Sequence, residues 1–291
     1  MRIAQIATLA TPVRQTGAGS IEGLVWLLAR ELTSLGHEVT VFAAAGSRAP
    51  GEVVITLPGT YATNGAPDDW HLCEWINLSR ALEQSGRFDV LHSHAYLWGL
   101  PLEPLSEAPM VHTLHIAPEA DSARLRMMYP ESCVTAISEH QWSAFPELPP
   151  AEVILHGVDA SQFTFRDDPD DYLCYLGRFT PGKGPLEAIA AARELGLRLR
   201  MAGPRNDYFD KHVAPLVDGE QVEFLGPLGG VERDRLLGGA RALVYPVREP
   251  EPFGLVMIEA MMCGTPVAAT GVPHIIASIM TRPNGSGSRT G

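Results

Sequence analysis

Residues 241–270 read RALVYPVREPEPFGLVMIEAMMCGTPVAAT. The short apolar run Ala242–Tyr245 predicts a buried strand. Residues 246–252 hold three prolines and no helical period, so they form a loop. From Phe253 onward, Leu255, Ile258 and Met262 recur as a helical stripe. Gly264 ends that helix, Pro266 sits just beyond it, and a second apolar run follows. Glu251 stands before the helix and Glu259 inside it. Between them, the backbone amides of Phe253, Gly254 and Leu255 fall at the helix N-terminus. They have no intrahelical partner there and lie at the positive end of the dipole, a place for an anion. Gly254 has no side chain to block close approach.

The spacing Glu-x7-Glu in EPFGLVMIE, with PFG, the following EAMMCGTPV and the flanking apolar strands, resembles the donor-site signature of retaining GT-B glycosyltransferases. These form the glycogen-synthase-like group, glycosyltransferase family 4 in type. A second string supports it. Strand Tyr172–Leu176 leads into Gly177-Arg178-Phe179-Thr180-Pro181-Gly182-Lys183-Gly184, similar to the family's G-R-x-x-x-x-K-G. The residue types suit a pyrophosphate. Arg178 offers a rigid fork of donors, Lys183 a mobile point charge, and Gly177 and Gly184 keep the backbone lean.

Upstream, strand 3–9 leads to a loop, 10–20, with Gly17-Ala18-Gly19, then to a helix over 21–35 with Ser20 as N-cap and Gly36 as its stop. This loop is not a dinucleotide fingerprint, because Glu22 stands where the third glycine belongs. It looks instead like the family's glycine-rich first loop, which approaches donor phosphate and acceptor. Phe88–His94 resembles the family's strand ending in histidine. His92 and His94 share a face but show no third metal ligand. Thr113-Leu114-His115 resembles the family's T-x-H motif, whose histidine faces the transferred sugar. At 156–159, His156 replaces the asparagine usual before Gly-Val-Asp.

Strand and helix alternate along the whole chain, which predicts two parallel sheets. The resemblance implies a GT-B fold: two Rossmann-like domains facing a cleft, the second incomplete. Residues 1–160 would form the acceptor-side domain, 161–171 an acidic linker, 172–270 the nucleotide-sugar domain and 271–291 a Gly/Ser-rich flexible tail. The resemblance fades after Thr270, which reads as a truncated second domain with a bare sheet edge, able to pair in a homodimer.

Composition narrows the partners. The 291 residues are 45% hydrophobic, enough for two globular cores. A formal charge of −12 argues against nucleic acid and against an anionic membrane, and favours a neutral or small soluble acceptor. The N-terminus reads as a first strand rather than a signal peptide, and no apolar run is long enough to span a bilayer. The four scattered cysteines have neither metal nor redox spacing, which fits buried thiols in a reducing cytoplasm.

The implied function is retaining transfer of a sugar from a nucleotide sugar, UDP-linked, to a hydroxyl acceptor. Arg178 and Lys183 would neutralise the diphosphate, with the amides of Phe253, Gly254 and Leu255. Glu259 would take ribose hydroxyls and Glu251 the donor sugar. His115, Gly17 and Gly19 would orient sugar and acceptor. The resemblance implies no metal and no further cofactor. The alternative is a truncated homologue or partner subunit that binds nucleotide sugar without efficient turnover.

Overall fold

The computed structural model describes residues 1–16, 19–61, 63, 65–249 and 251–270. Gly17 and the expected tail 271–291 therefore lie outside the described residues. The chain divides into two compact units, Met1–Thr164 with Leu228–Arg235, and Phe165–Pro227 with Leu236–Gly291. Segment 228–235 joins the first unit through local contacts. Thr164 donates its N–H to Asp234 at 2.8 Å, and the Arg233 guanidinium lies 5.4 Å from the centre of the Phe163 ring.

The first unit holds a seven-stranded sheet. In chain order its strands are β1 (Arg2–Ile6), β2 (Glu38–Ala44), β3 (Glu52–Leu57), β4 (Val90–Ser93), β5 (Met110–Leu114), β6 (Cys133–Ala136) and β7 (Glu152–Val153). In space the order is β3-β2-β1-β4-β5-β6-β7, all pairs parallel. Helices α1 (Ser20–Ser34), α2 (Trp70–Leu82) and α3 (Ala120–Met128) follow strands β1, β3 and β5. Strand β2 shows how a parallel sheet buries both faces. Val39, Val41 and Ala43 pack with Val25 and Ala29 of α1, while Phe42 packs with Leu78 and Ala81 of α2. The chain order reverses between β1 and β4, and open α/β sheets bind ligands at the carboxyl ends of the strands beside such a reversal.

The second unit holds β8 (Tyr172–Leu176), β9 (Arg198–Ala202), β10 (Val222–Phe224), β11 (Ala242–Tyr245) and β12 (Val267–Ala269), ordered β10-β9-β8-β11-β12 and again parallel. Helices α4 (Pro185–Leu195) and α6 (Leu255–Met262) belong to it, while α5 (Gly230–Gly238) starts in segment 228–235 of the first unit and ends in the second. Leu173, Tyr175, Phe179, Ile189, Met201 and Phe209 form the centre of its core. Here the reversal falls between β8 and β11.

Three local expectations are corrected. The N-cap of α1 is Gly19, and Ser20 is already helical. Glu22 in the first turn is turned back to the preceding loop, accepting from the Thr8 hydroxyl at 2.8 Å and from the Ala10 and Thr11 amides. The stripe Leu255, Ile258 and Met262 is not the buried face of α6; Met257 and Ala260 are buried instead. The helix is LVMIEAMM, apolar nearly all round, so its period does not select a face. Between β9 and β10 the expected helix is a five-residue π-turn, Phe209–Val213, followed by a 3-10 turn, Ala214–Leu216. Pro215 has no N–H and cannot continue an α-helical ladder.

All four cysteines are free; Cys73, Cys174 and Cys263 are buried, but Cys133 is exposed, unlike the expectation. Among the described residues, no helix is long and apolar enough to cross a membrane.

Candidate active site

Two loops of the second unit meet at the reversal between β8 and β11. The first leaves β8 at Gly177 and enters α4 at Pro185; the second leaves β11 at Pro246 and enters α6 at Leu255. Gly177 stays tied to the sheet, its N–H donating to Ala202 at 3.0 Å. After a 3-10 turn at Pro181–Lys183, Gly184 adopts φ 66°, a left-handed conformation that glycine reaches without strain. A Cβ there would also strike the Pro246 carbonyl, so the glycine lets the loops touch. Arg248 N–H donates to the Gly182 carbonyl at 2.8 Å across the same junction.

That junction buries Lys183. Its Nζ lies 2.6 Å from Oε2 of Glu251 and 3.2 Å from Oε1 of Glu249. Tyr245, the last residue of β11, donates its hydroxyl to the same Glu251 oxygen at 2.5 Å. Burial and the facing Glu251 carboxylate push the Tyr245 hydroxyl far above its ordinary pKa, so it remains a donor at every working pH. Only 11% of the Lys183 side chain and 12% of the Glu251 side chain are exposed. Arg178 is different. It stands exposed on the same loop, fixed through its backbone, whose carbonyl accepts from the Tyr175 hydroxyl at 2.8 Å. Its guanidinium has no hydrogen bond or ion pair among the described residues.

Gly254 caps α6 with φ 78°, and a Cβ there would collide with the Met257 methyl group. The left-handed turn, rather than ligand approach alone, accounts for glycine at this position. Phe253 is buried beside it, Leu255 opens the helix, and Glu259 lies partly buried one turn further on. The structure thus brings Lys183, Glu251 and the start of α6 onto one sheet edge, with Arg178 at its rim. Tyr245 and Glu249 are contributors that sequence reasoning passed over. In the sequence Tyr245 only closes a strand; its sole signal is a hydroxyl at the carboxyl end of an otherwise aliphatic run.

In the first unit, polar side chains gather at the carboxyl ends of β4 and β5. Gly19 N–H donates to the Thr11 hydroxyl, closing the loop before α1. His92 Nε2 lies 2.7 Å from the Thr113 hydroxyl. His94 and His115, just past β4 and β5, are 2.9 Å apart, Nδ1 to Nε2, and His115 Nδ1 lies 3.2 Å from His156 Nε2. Both ring nitrogens of His115 are therefore engaged by imidazoles. Burial lowers all four rings: His92 and His156 to about 4, His94 and His115 well below the ordinary range. They are neutral at pH 7. Among the described residues, no cluster of three or more His, Cys, Asp or Glu is arranged to hold a metal ion.

Glu74 of α2 also escaped the sequence reading. It is fully buried, accepts from the Leu9 amide at 2.8 Å and from the Tyr61 hydroxyl, and leaves Oε2 without a partner among the described residues. Burial pushes its carboxyl up to about 7 from an ordinary 4.5. A raised acid is neutral in both folded and unfolded chains below about 4.5. Above 7 the folded chain must bury a charge that the unfolded chain solvates. Its environment therefore costs stability that grows from pH 4.5 to 7, about 3 kcal/mol once complete. Glu74→Gln should raise the melting temperature at pH 8 and change it little at pH 5; equal shifts at both pH values would contradict this assignment.

The comparisons with known proteins bear on family and fold. Residues 21–162 match Glycosyltransferase Family 4, and residues 159–282 match Glycosyl transferases group 1. The chain belongs to the glycosyltransferases of the family 4 type. This glycosyltransferase is 29% identical to the D-inositol 3-phosphate glycosyltransferase of Pseudarthrobacter chlorophenolicus, over 96% of its own chain and 81% of that one. It is 28% identical to the protein of the same name from Mycolicibacterium smegmatis, over 98% and 79%. Among solved structures, a glycosyltransferase involved in avilamycin A biosynthesis superimposes with a TM-score of 0.68 at 28% identity, over 93% of this chain and 79% of that one. Anabaena HepE, solved with UDP and glucose, shares the fold with a TM-score of 0.68 at 18% identity, over 97% and 83%. The fold of this glycosyltransferase is accordingly GT-B, each sheet being Rossmann-like.

Proposed function

We propose that this glycosyltransferase moves a sugar from a UDP-linked donor to a hydroxyl acceptor with retention at the anomeric carbon, and that positive charge from the protein serves in place of a metal. The observation that carries the reading is the junction of the two loops in the second unit. There an almost fully buried ammonium sits 2.6 Å from Glu251, beside the N-terminus of α6 and near an exposed guanidinium.

In this reading the diphosphate of the donor takes Lys183 from its carboxylates. The ammonium and Arg178 then neutralise charge as it builds on the leaving group. The amides of Phe253, Gly254 and Leu255 add the helix dipole to the same charge. Glu251, freed from Lys183 and still held by Tyr245, turns to hydroxyls of the donor sugar, and Glu259 accepts from the ribose. Gly19 and Gly17 belong to the loop that receives the donor and acceptor from the first unit. His115 exchanges its His156 contact for a sugar hydroxyl. Retention follows without an enzymic nucleophile if the leaving phosphate accepts the acceptor's proton on the same face. Anabaena HepE binds UDP, and that supports uridine as the base. The relatives named for inositol 3-phosphate support a small soluble polyol acceptor, and we place the reaction in the cytoplasm.

The test is UDP release from a panel of UDP- and dTDP-sugars, with sugar and polyol acceptors, in EDTA. Turnover with a UDP-sugar, undiminished by EDTA, and a product with the donor's anomeric configuration by proton NMR are expected. Inversion, or dependence on a divalent ion, would overturn the mechanism. UDP binding without turnover on any acceptor would make the protein a binder instead.

A further inference from the structure

The three contacts of these imidazoles, His94 buried and His115 and His156 half-buried, form a line that the proposed mechanism does not explain. Gln5 lies on β1 and is 1% exposed; its Oε1 is 2.7 Å from His94 Nε2. His94 Nδ1 meets His115 Nε2, and His115 Nδ1 meets His156 Nε2. The rings also stack, His94 on His115 and His115 on His156, each pair with centroids 5.1 Å apart. The line thus runs along the carboxyl edge of one sheet, from β1 past β4 and β5 to the segment after β7.

A neutral imidazole has one donor nitrogen and one acceptor nitrogen. In a line of such rings, fixing one proton fixes all of them. With the Gln5 carbonyl facing His94, the donor must be His94 Nε2–H. Its Nδ1 is then the acceptor, so His115 donates from Nε2. His115 Nδ1 becomes an acceptor in turn, and His156 donates to it from Nε2. Turning the Gln5 amide around would reverse every bond, leaving His115 a donor at Nδ1.

We propose that Gln5 and His94 are positioning residues that select the Nε2–H tautomer of His115, so that its Nδ1 is presented as an acceptor to a substrate hydroxyl, with His156 occupying that acceptor until substrate arrives. The substrate hydroxyl rests on the function proposed above; the proton order along the line does not. The arrangement gives a use to a histidine at 156, where the family string carries asparagine: an imidazole Nε2–H is a donor that can swing out and be replaced.

Imidazole nitrogen NMR on the histidine-labelled full chain tests both parts. The order predicts protonated Nε2 and bare Nδ1 at His94 and His115 in the free protein; a bare Nε2 at His115 would overturn it outright, whether or not the protein transfers any sugar. Gln5→Leu should leave His115 as a mixture of tautomers. Turnover with the active UDP-sugar should then fall about 10-fold, the loss of one well-made hydrogen bond, with little change in melting temperature. His94→Asn, whose carbonyl accepts from His115 Nε2–H, should keep the wild-type His115 tautomer and most of the rate, while His94→Leu should lose both. Wild-type rates in Gln5→Leu and His94→Leu, with the tautomer scrambled, would remove the catalytic half of the proposal.

Discussion

Lys183→Ala should lower kcat/KM by about 10²–10³-fold, the size seen when one preorganised donor to a developing anion is removed. Burial is the physical reason. A charge that is 11% exposed acts through a low dielectric and is worth far more than the same charge in water. The effect should fall on kcat as well as KM, because negative charge on the leaving diphosphate is greater in the transition state than in the bound donor. The change also strands Glu251, which among the described residues keeps only the Tyr245 hydroxyl as a close partner. Lys183→Ala should therefore melt somewhat lower, and Lys183→Ala with Glu251→Gln should recover stability without recovering rate. Lys183→Arg keeps the charge but replaces a compact ammonium by a larger planar group in a nearly closed space, and should restore only part of the rate. Steady-state kinetics beside thermal melts separate the two effects, and wild-type kcat/KM in Lys183→Ala would remove Lys183 from the mechanism.

The desolvated histidines, His94 buried and His92, His115 and His156 half-buried, give the second large effect. A base whose folded pKa is depressed binds its proton in the unfolded chain first. Its contribution is complete above the ordinary 6.5 and is lost as the pH falls toward the folded value. For His92 and His156 that value is about 4, which corresponds to about 3 kcal/mol each by the time the pH reaches 4. His94 and His115 lie lower still and act in the same direction. Domains of this size hold only 5–15 kcal/mol in all, so the first unit should be close to unfolding near pH 4. The steep part should begin between pH 6.5 and 5, above the range of ordinary carboxylates; Glu74, raised to about 7, loses its cost in the same window and offsets about one of the four histidines. Urea midpoints at pH 7, 6, 5 and 4.5 check this. A midpoint flat from pH 7 to 5 would contradict it, and replacing His156 by asparagine should flatten the wild-type slope.

What the sequence disclosed and what it concealed follow from how local each feature is. Strand β11 was legible to the residue because ALVY is apolar on both faces and is bounded by a polar residue and a proline. The G-R-x-x-x-x-K-G and Glu-x7-Glu strings were legible because each is contiguous. Their contact was not, since Lys183 and Glu251 are 68 positions apart and meet only because β8 and β11 are neighbours in the sheet. The buried face of α6 was illegible for the opposite reason: seven of its eight residues are apolar, and a pattern without contrast has no phase. The histidine line depends on sheet order too. His94, His115 and His156 each follow a different strand, and Gln5 carries no signal of its own. Glu74 sat on a plausible amphipathic helix, and nothing in its neighbourhood marks it as the acid that faces inward.

The central claim is that the donor's diphosphate binds where Lys183 and the start of α6 meet. A crystal structure of the protein soaked with UDP tests it most directly. The account predicts phosphate oxygens within hydrogen-bond distance of Lys183 Nζ and the Arg178 guanidinium, with a backbone amide of Gly254 or Leu255 as a third donor and the Lys183–Glu251 contact broken. A diphosphate bound elsewhere, with Lys183 still 2.6 Å from Glu251, would contradict it.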